Sequence, residues 1–359
     1  MKCLIKYLFL GFLFLYSFET SAQDTSHDSN VNSKSLSFTI LVNGDSIDNF
    51  VGTDKVYRLN LPYTTTKLPQ ISISNLSSNY KTEIINPVNL TGTDKERTAK
   101  IVVTSIENKV STVYKLIFKV LPKLDLFLLI GQSNMAGRGT MTPQYLDTLT
   151  NTYLLSPTAG MIPATNPLNR YSTVRKDIKL QQVGPGYGFS KKLVITTGAN
   201  IGLIVNARGA TSINSWEKGH ADQYYQKAVL RMKSAQKWGT LKAILWHQGE
   251  GDSKHPETYM KKLVDLAQNL RTDLNAPNLF FVAGELAYWR GAGSSSADFN
   301  TMIRTISQFI RNSDWVSAEG LTPLLDESDP HFDAKSQVIL GERYADKVFK
   351  SCYTIQSPK

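Results

Sequence analysis

The pattern of apolar and polar residues divides the chain into two parts with different periodicity. Between residues 36 and 122, apolar and polar positions alternate over short runs, for example at residues 36–42, 56–61 and 113–120. Turn-forming Gly, Asn, Asp and Pro separate these runs, and none has the spacing of an amphipathic helix. We therefore predict a small all-β sandwich over residues 36–122.

After residue 122 the pattern changes to apolar runs that alternate with segments of helical spacing. The runs typical of buried strands cover residues 126–130, 201–206, 243–246, 279–283 and 315–318. The helical segments cover residues 187–197, 223–238, 256–274, 297–311 and 334–350. Such alternation predicts an α/β domain over residues 123–359, in which helices cover both faces of a parallel sheet.

The first residues have the composition of a secretory signal peptide. Two lysines precede the apolar run at residues 7–18, and small residues end the segment at Ala22. We predict cleavage after Ala22, followed by a polar, flexible leader at residues 23–35. The mature protein is therefore expected to be secreted or periplasmic, without a membrane partner.

Cysteine content and charge exclude several classes of protein. Of the two cysteines, Cys3 leaves with the signal peptide, so Cys352 alone can form neither an internal disulfide nor a cysteine-based metal site. The net charge of +10 comes from 40 basic and 30 acidic residues that are scattered along the chain. Without a basic stripe interleaved with aromatic residues, no nucleic-acid partner is expected.

Polar residues follow three of the predicted strands and also fill one loop near the C-terminus. These segments are residues 131–134, 207–212, 247–252 and 326–333. Ligands of open parallel sheets bind outside the carboxyl ends of the strands. The four segments therefore predict a functional site at this edge of the sheet.

The residue types in these segments suit nucleophilic catalysis. Ser133 is either a nucleophile or the N-cap of the next helix, and the strand end alone does not separate these interpretations. His331 is the best-placed base among the five histidines. The backbone N–H groups of Ser133 and Gly209, with the side-chain amide of Gln248, could hold an oxyanion.

Several motifs resemble the SGNH hydrolases, most of all the sialate O-acetylesterase-like domains and the acetylxylan esterases of carbohydrate esterase family six. The motifs are Gly-Gln-Ser-Asn-Met-Ala-Gly at 131–137, Arg-Gly at 208–209, Trp-His-Gln-Gly-Glu at 246–250 and His-Phe at 331–332. The resemblance spans about residues 124–352. It implies a three-layer α/β/α, flavodoxin-like sheet, hydrolysis of O-acetyl groups on sugars, and no metal or organic cofactor.

The resemblance also implies the main roles in the site. Ser133 corresponds to the nucleophile and His331 to the base, with Gly209 and Gln248 completing the oxyanion hole. We assign substrate contacts to five residues at the strand ends: Gln132, Asn134, Arg208, Trp216 and His247.

The carboxylate that orients His331 is left open by the sequence. The family often has an Asp three residues before the His, where this chain has Ser328. Glu250 is our first choice and Asp329 the alternative, while a backbone carbonyl could also hold the imidazole. For the substrate we favour acetylated plant polysaccharide over acetylated sialic acid. A secreted glycan-binding protein without catalysis is the rival hypothesis.

Overall fold

The computed structural model describes residues 37–290 and 295–354, and these described residues belong to one compact unit. The predicted signal peptide 1–22 and leader 23–35 lie outside the described residues. Within the described ranges, no helix is long and apolar enough to span a bilayer. The division into domains at residues 122 and 123 stays a prediction.

The N-terminal part is β-rich, as predicted, and consists of two sheets. A three-stranded sheet has the order β2-β1-β4, and a four-stranded sheet has the order β3-β7-β6-β5. Phe38 packs edge-on against Tyr114 with ring centroids 5.2 Å apart, so aromatic side chains fill this small core. The strands are β1 (Thr39–Val42), β2 (Asp45–Ser46), β3 (Val56–Leu61), β4 (Ile71–Ser74), β5 (Tyr80–Ile85), β6 (Thr98–Ser105) and β7 (Ser111–Val120).

The rest of the chain forms a seven-stranded sheet with the order β10-β9-β11-β8-β12-β13-β14. Neighbouring strands are parallel except for β10, which pairs antiparallel with β9 at one edge. The strands are β8 (Leu124–Gly131), β9 (Thr152–Leu155), β10 (Met161–Pro163), β11 (Ile201–Val205), β12 (Gly239–His247), β13 (Phe280–Gly284) and β14 (Ser313–Val316).

Helices cover both faces of this sheet, which confirms the predicted α/β/α fold. Along β8, Leu126, Leu128 and Ile130 belong to one core cluster, whereas Phe127 and Leu129 belong to the other. Helices α3 to α6 pack on the first face, and α2 and α7 pack on the second. The helices are α1 (Ser133–Ala136), α2 (Pro185–Thr197), α3 (Tyr224–Ala235), α4 (Pro256–Asp273), α5 (Ser295–Ile303), α6 (Ile306–Phe309) and α7 (Ala334–Cys352).

Two details of the α/β part differ from the prediction. The segment 151–171 contains the hairpin of β9 and β10, which the apolar pattern does not predict. The single helix predicted over 297–311 is divided into α5 and α6 at Arg304 and Thr305. Short strands and two-residue breaks in a helix change the apolar periodicity too little to be detected in a sequence.

Close packing of α2 against α7 positions the loop that carries His331. A Cβ added to Gly341 of α7 would overlap the carbonyl group of Pro185, and one added to Gly188 would overlap the carbonyl of Val338. Because these helices touch through backbone atoms, α7 is held at a fixed depth. The start of α7 at Ala334 therefore gives the preceding loop a rigid anchor.

Candidate active site

The ends of β8, β11 and β12 are tied together by backbone hydrogen bonds. The N–H of Gln132 donates to the carbonyl of His247 at 2.8 Å, and the N–H of Arg208 donates to the carbonyl of Gly131 at 2.9 Å. Gly131 has φ +133°, and a Cβ there would overlap His247. This turn needs glycine, and it directs Ser133 to the carboxyl edge of the sheet.

The structure brings Ser133 and His331 together from opposite ends of the domain. The Oγ of Ser133 lies 2.9 Å from Nε2 of His331. The Nδ1 of His331 lies 2.6 Å from an Oδ1 of Asp329. A hydroxyl, an imidazole and a carboxylate therefore form one continuous hydrogen-bonded chain.

Asp329 holds the imidazole through a compact local turn. The same Oδ1 accepts a hydrogen bond from the backbone N–H of His331 at 3.0 Å, and the backbone carbonyl of Asp329 accepts one from the indole N–H of Trp289 at 2.8 Å. With its Nδ1 proton directed at the carboxylate, His331 presents the Nε2 lone pair to Ser133. That tautomer is the one a general base needs.

Our first choice of carboxylate, Glu250, is corrected by this geometry. An Oε1 of Glu250 accepts a hydrogen bond from Nδ2 of Asn134 at 2.8 Å, whereas Asp329 occupies the position beside His331. Glu250 follows β12 and contacts Asn134 of α1. Its carboxylate therefore contacts the amide next to the nucleophile instead of the base.

Asn134 is also corrected, because it joins two loops and has no group left for a substrate. Its Nδ2 donates to the carbonyl of Pro330 at 3.1 Å as well as to Glu250, and the side chain is fully buried. Its Oδ1 accepts hydrogen bonds from the N–H of Phe332 at 3.2 Å and from Nε2 of Gln337 at 3.1 Å. Asn134 thus clamps the chain on both sides of the base.

Two of the three expected oxyanion donors are open, and the third is occupied. In the described part of the chain, the N–H groups of Ser133 and Gly209 donate to no acceptor. The Nε2 of Gln248 is directed at the carbonyl of Thr211 at 2.9 Å, at Asp252 at 2.6 Å and at Gln132 at 3.2 Å. Gln248 is fully buried, so its assignment as an oxyanion donor is corrected.

The remaining predicted substrate contacts fall into two groups. Trp216 and His247 are fully buried: the indole N–H of Trp216 donates to Thr211, and His247 contacts Tyr344, so both assignments are corrected. Gln132 is also buried, with only 4% of its surface exposed. Arg208 is half-buried, and its Nη1 donates to the carbonyl of Val174 at 3.2 Å. Arg208 is therefore the member of the set that best retains access to a ligand.

Burial changes the pKa of both histidines near the sheet edge. For His331, burial lowers the pKa below its ordinary value of 6.5, the charge of Asp329 opposes this effect, and the charge of Arg138 adds to it. Complete burial lowers the pKa of His247 to about 3, so this ring stays neutral. Neutral His331 is the form that can accept a proton from Ser133.

Sequence reasoning missed the part played by two further residues. Asp252 accepts hydrogen bonds from the Gln248 amide and from the N–H of Ile213, so it joins the loop after β12 to the segment that follows β11. Arg138 lies beside Gly209, and the sequence did not predict this contact. The Gly-Arg-Gly sequence that directly follows α1 was the available signal for Arg138. No group of three or more potential metal-binding His, Cys, Asp or Glu side chains occurs among residues 37–290 and 295–354.

This fold and site define a carboxylic ester hydrolase of the α/β class. A family model described as "SASA: carbohydrate esterase, sialic acid-specific acetylesterase" matches residues 123–350, which is more than half of the chain. The chain therefore belongs to this family of carbohydrate acetylesterases, as its motifs suggested.

The chain is also similar to individual proteins and solved structures. An Arabidopsis thaliana protein named as a probable carbohydrate esterase is 30% identical over 242 residues, which cover 62% of this chain and 88% of the relative. An Arabidopsis thaliana structure solved at 1.6 Å has a TM-score of 0.57 at 29% identity and covers 64% of this chain and 100% of its own. A carbohydrate acetylesterase structure from Xanthomonas citri has a TM-score of 0.49 at 15% identity and covers 83% of this chain and 73% of its own.

Proposed function

We propose that this protein removes acetyl groups from a carbohydrate with Ser133 as nucleophile, His331 as base and Asp329 as the carboxylate that orients the base. The observation that carries this proposal is the hydrogen-bonded chain from Ser133 through His331 to Asp329, with distances of 2.9 and 2.6 Å. Nucleophile, base and orienting group at such distances are the arrangement used for acyl transfer in serine hydrolases.

The reaction proceeds in two steps. Ser133 Oγ attacks the acetyl carbon while its proton passes to Nε2 of His331, and the sugar oxygen then leaves with that proton. Water, activated by His331, hydrolyses the acetyl-enzyme and restores Ser133. The N–H groups of Ser133 and Gly209 donate hydrogen bonds to the oxyanion in both steps.

We propose acetylated plant polysaccharide as the substrate, with acetylated sialic acid as the alternative. Membership of a carbohydrate esterase family supports an acetylated sugar. Ser133 is only 5% exposed, which favours a small acyl group such as acetyl over a long fatty chain. Acetate release from acetylated xylan, acetylated pectin and O-acetyl sialic acid, measured in parallel, separates these substrates.

Exchange of the nucleophile tests the proposal directly. Ser133→Ala should lower release of 4-nitrophenol from 4-nitrophenyl acetate by about 10⁴-fold or more, because the acyl-enzyme can no longer form. Ser253→Ala, which changes a serine in the neighbouring loop, is the matched control and should remain active. Near-normal turnover by Ser133→Ala would remove Ser133 from the mechanism. A wild-type chain that binds glycans but releases no acetate would favour the non-catalytic rival.

We also propose that the protein is secreted or periplasmic after cleavage behind Ala22. The support is the sequence of residues 1–22, in which lysines precede an apolar run and small residues follow it. Amino-terminal sequencing of the protein from a culture supernatant or periplasmic extract should begin within two residues of position 23. Recovery of the intact N-terminus from the cytoplasm would contradict this proposal.

A further inference from the structure

The oxyanion pocket has fewer donors than the sequence suggested. The side-chain amide of Gln248 donates to Thr211 and Asp252. The backbone N–H groups of Ser133 and Gly209 therefore remain as the oxyanion donors. Both groups are neutral dipoles, whereas the tetrahedral intermediate carries a full negative charge. Removal of a single donor from such a pocket costs about 100- to 1,000-fold in turnover, so a missing donor should have a replacement.

Arg138 lies beside Gly209, one of the two remaining donors. Its Nη1 donates to the carbonyls of Gly137 and Leu180, both at 2.8 Å, and these bonds fix the guanidinium plane. A Cβ built on Gly209 would lie 2.5 Å from Nη2 of Arg138 and 3.5 Å from Cβ of Ser133. The Nη2 group therefore borders the space between the oxyanion glycine and the nucleophile.

The charge of Arg138 is not neutralised within the protein. Within the described ranges, no carboxylate forms an ion pair with Arg138, and its Nη2 donates to no acceptor. The side chain is half-buried, and burial lowers the pKa of its guanidinium. A partly desolvated cation without a counter-charge costs folding free energy, which an anion formed during catalysis would offset.

We propose that the guanidinium of Arg138 is a third oxyanion donor, a catalytic role that rests on the esterase function proposed above. As Ser133 Oγ bonds to the acetyl carbon, its proton passes to His331 and the carbonyl electron pair moves onto oxygen. The Nη2–H of Arg138 donates to that oxygen and keeps its proton. When the carbonyl re-forms, the bond to the sugar oxygen breaks and that oxygen takes the proton from His331.

Kinetics with 4-nitrophenyl acetate test this role, because this ester carries no carboxylate that Arg138 could bind. Arg138→Met should lower kcat about 100-fold with little change in KM, since the lost contact exists only after attack. Arg138→Lys keeps the charge and should recover part of the loss. The inhibition constant of phenylboronic acid should rise by a similar factor, because its adduct with Ser133 is tetrahedral and anionic.

Two further readouts separate catalysis from a structural effect. Loss of the Arg138 charge should shift the acidic limb of the pH profile of kcat/KM to higher pH, because that charge lowers the pKa of His331. Arg175→Met removes an exposed charge from the nearby loop and should change kcat by no more than about twofold. Circular dichroism establishes that each variant is folded, and Arg138→Gln replaces the Met variant if that one is not.

The possible failures are distinct. If the wild-type chain hydrolyses neither 4-nitrophenyl acetate nor an acetylated sugar, the proposed function is wrong and the role of Arg138 falls with it. If the wild type is active and folded Arg138→Met keeps its kcat and its affinity for phenylboronic acid, only the oxyanion role is wrong. A rise in KM confined to carboxylated sugar esters would instead assign Arg138 to substrate binding and overturn the proposal.

Discussion

Two layers of residues with polar groups lie at the carboxyl edge of the sheet, and they differ in whether those groups are hydrogen-bonded within the protein. The inner layer, Asn134 and Gln248, is fully buried and bonded to protein groups on every side. The outer layer, Ser133, Gly209 and Arg138, has N–H groups that donate to no acceptor within the described residues. A polar residue type therefore does not by itself identify a substrate contact. The residues of the inner layer instead position those of the outer layer.

The clamp made by Asn134 shows how this works. This residue adjoins Ser133 in the chain, yet it bonds Pro330 and Phe332, which flank His331. A buried amide with every group satisfied adopts one orientation, since any other would leave unpaired polar atoms. Asn134 therefore helps to fix the distance between Ser133 and His331, although it takes no part in the chemistry itself.

The largest expected effect concerns the carboxylate beside the base. Asp329→Asn should lower kcat by about 10⁴-fold, by analogy with serine hydrolases in which the amide favours the wrong tautomer of the His. Glu250→Gln should cost at least about 100 times less, because an amide oxygen can still accept from Asn134. Rates of 4-nitrophenyl acetate hydrolysis by both variants provide the comparison. A greater loss from Glu250→Gln would restore our original choice.

The next effect distinguishes the inner layer from the outer one. Gln248→Met should lower the free energy of unfolding by about 2–3 kcal/mol, since Thr211 and Asp252 lose a buried donor. The kcat of the folded variant should fall less than about 10-fold, in contrast to loss of an oxyanion donor. Urea unfolding and kinetics measure the two quantities. Gln268→Met, on the exposed face of α4, serves as the control.

A thousandfold fall in kcat with unchanged stability would contradict this division of the two layers. In that case the Gln248 amide would have to leave Thr211 and Asp252 during catalysis to reach the oxyanion.

The smallest effect is a displacement of the pH profile. His331 acts as a base only when neutral, and burial lowers its pKa from 6.5, so activity should be retained until the pH falls below that value. The midpoint of the acidic limb of kcat/KM should therefore lie below pH 6.5. His255→Gln, which changes an exposed histidine, should leave the limb in place. A midpoint clearly above pH 6.5 would contradict the expected effect of burial.

Much of the architecture could be predicted because strands and helices are specified by patterns of neighbouring residues. Apolar runs and helical spacing located the strands from β11 to β13 and helices α2, α4 and α7 to within a few residues. The hairpin of β9 and β10 was missed, because its strands are short and its sequence contains turn-forming residues. The break between α5 and α6 was missed because it interrupts the helical spacing by only two residues.

What the sequence by itself determined was the fold class, the family and the set of residue types at one edge of the sheet. Which of those residues face the cleft was decided only by the tertiary structure. Asp329 and Glu250 are both acidic residues in polar loops, and no local pattern separates them. Asn134 joins segments almost 200 residues apart through its bonds to Pro330 and Phe332. In this arrangement Asp329 lies beside the base, whereas Glu250 contacts Asn134. Such placement depends on long-range packing. A hydrogen bond requires a suitable distance and angle between donor and acceptor, and the position of a residue in the chain does not specify either of them.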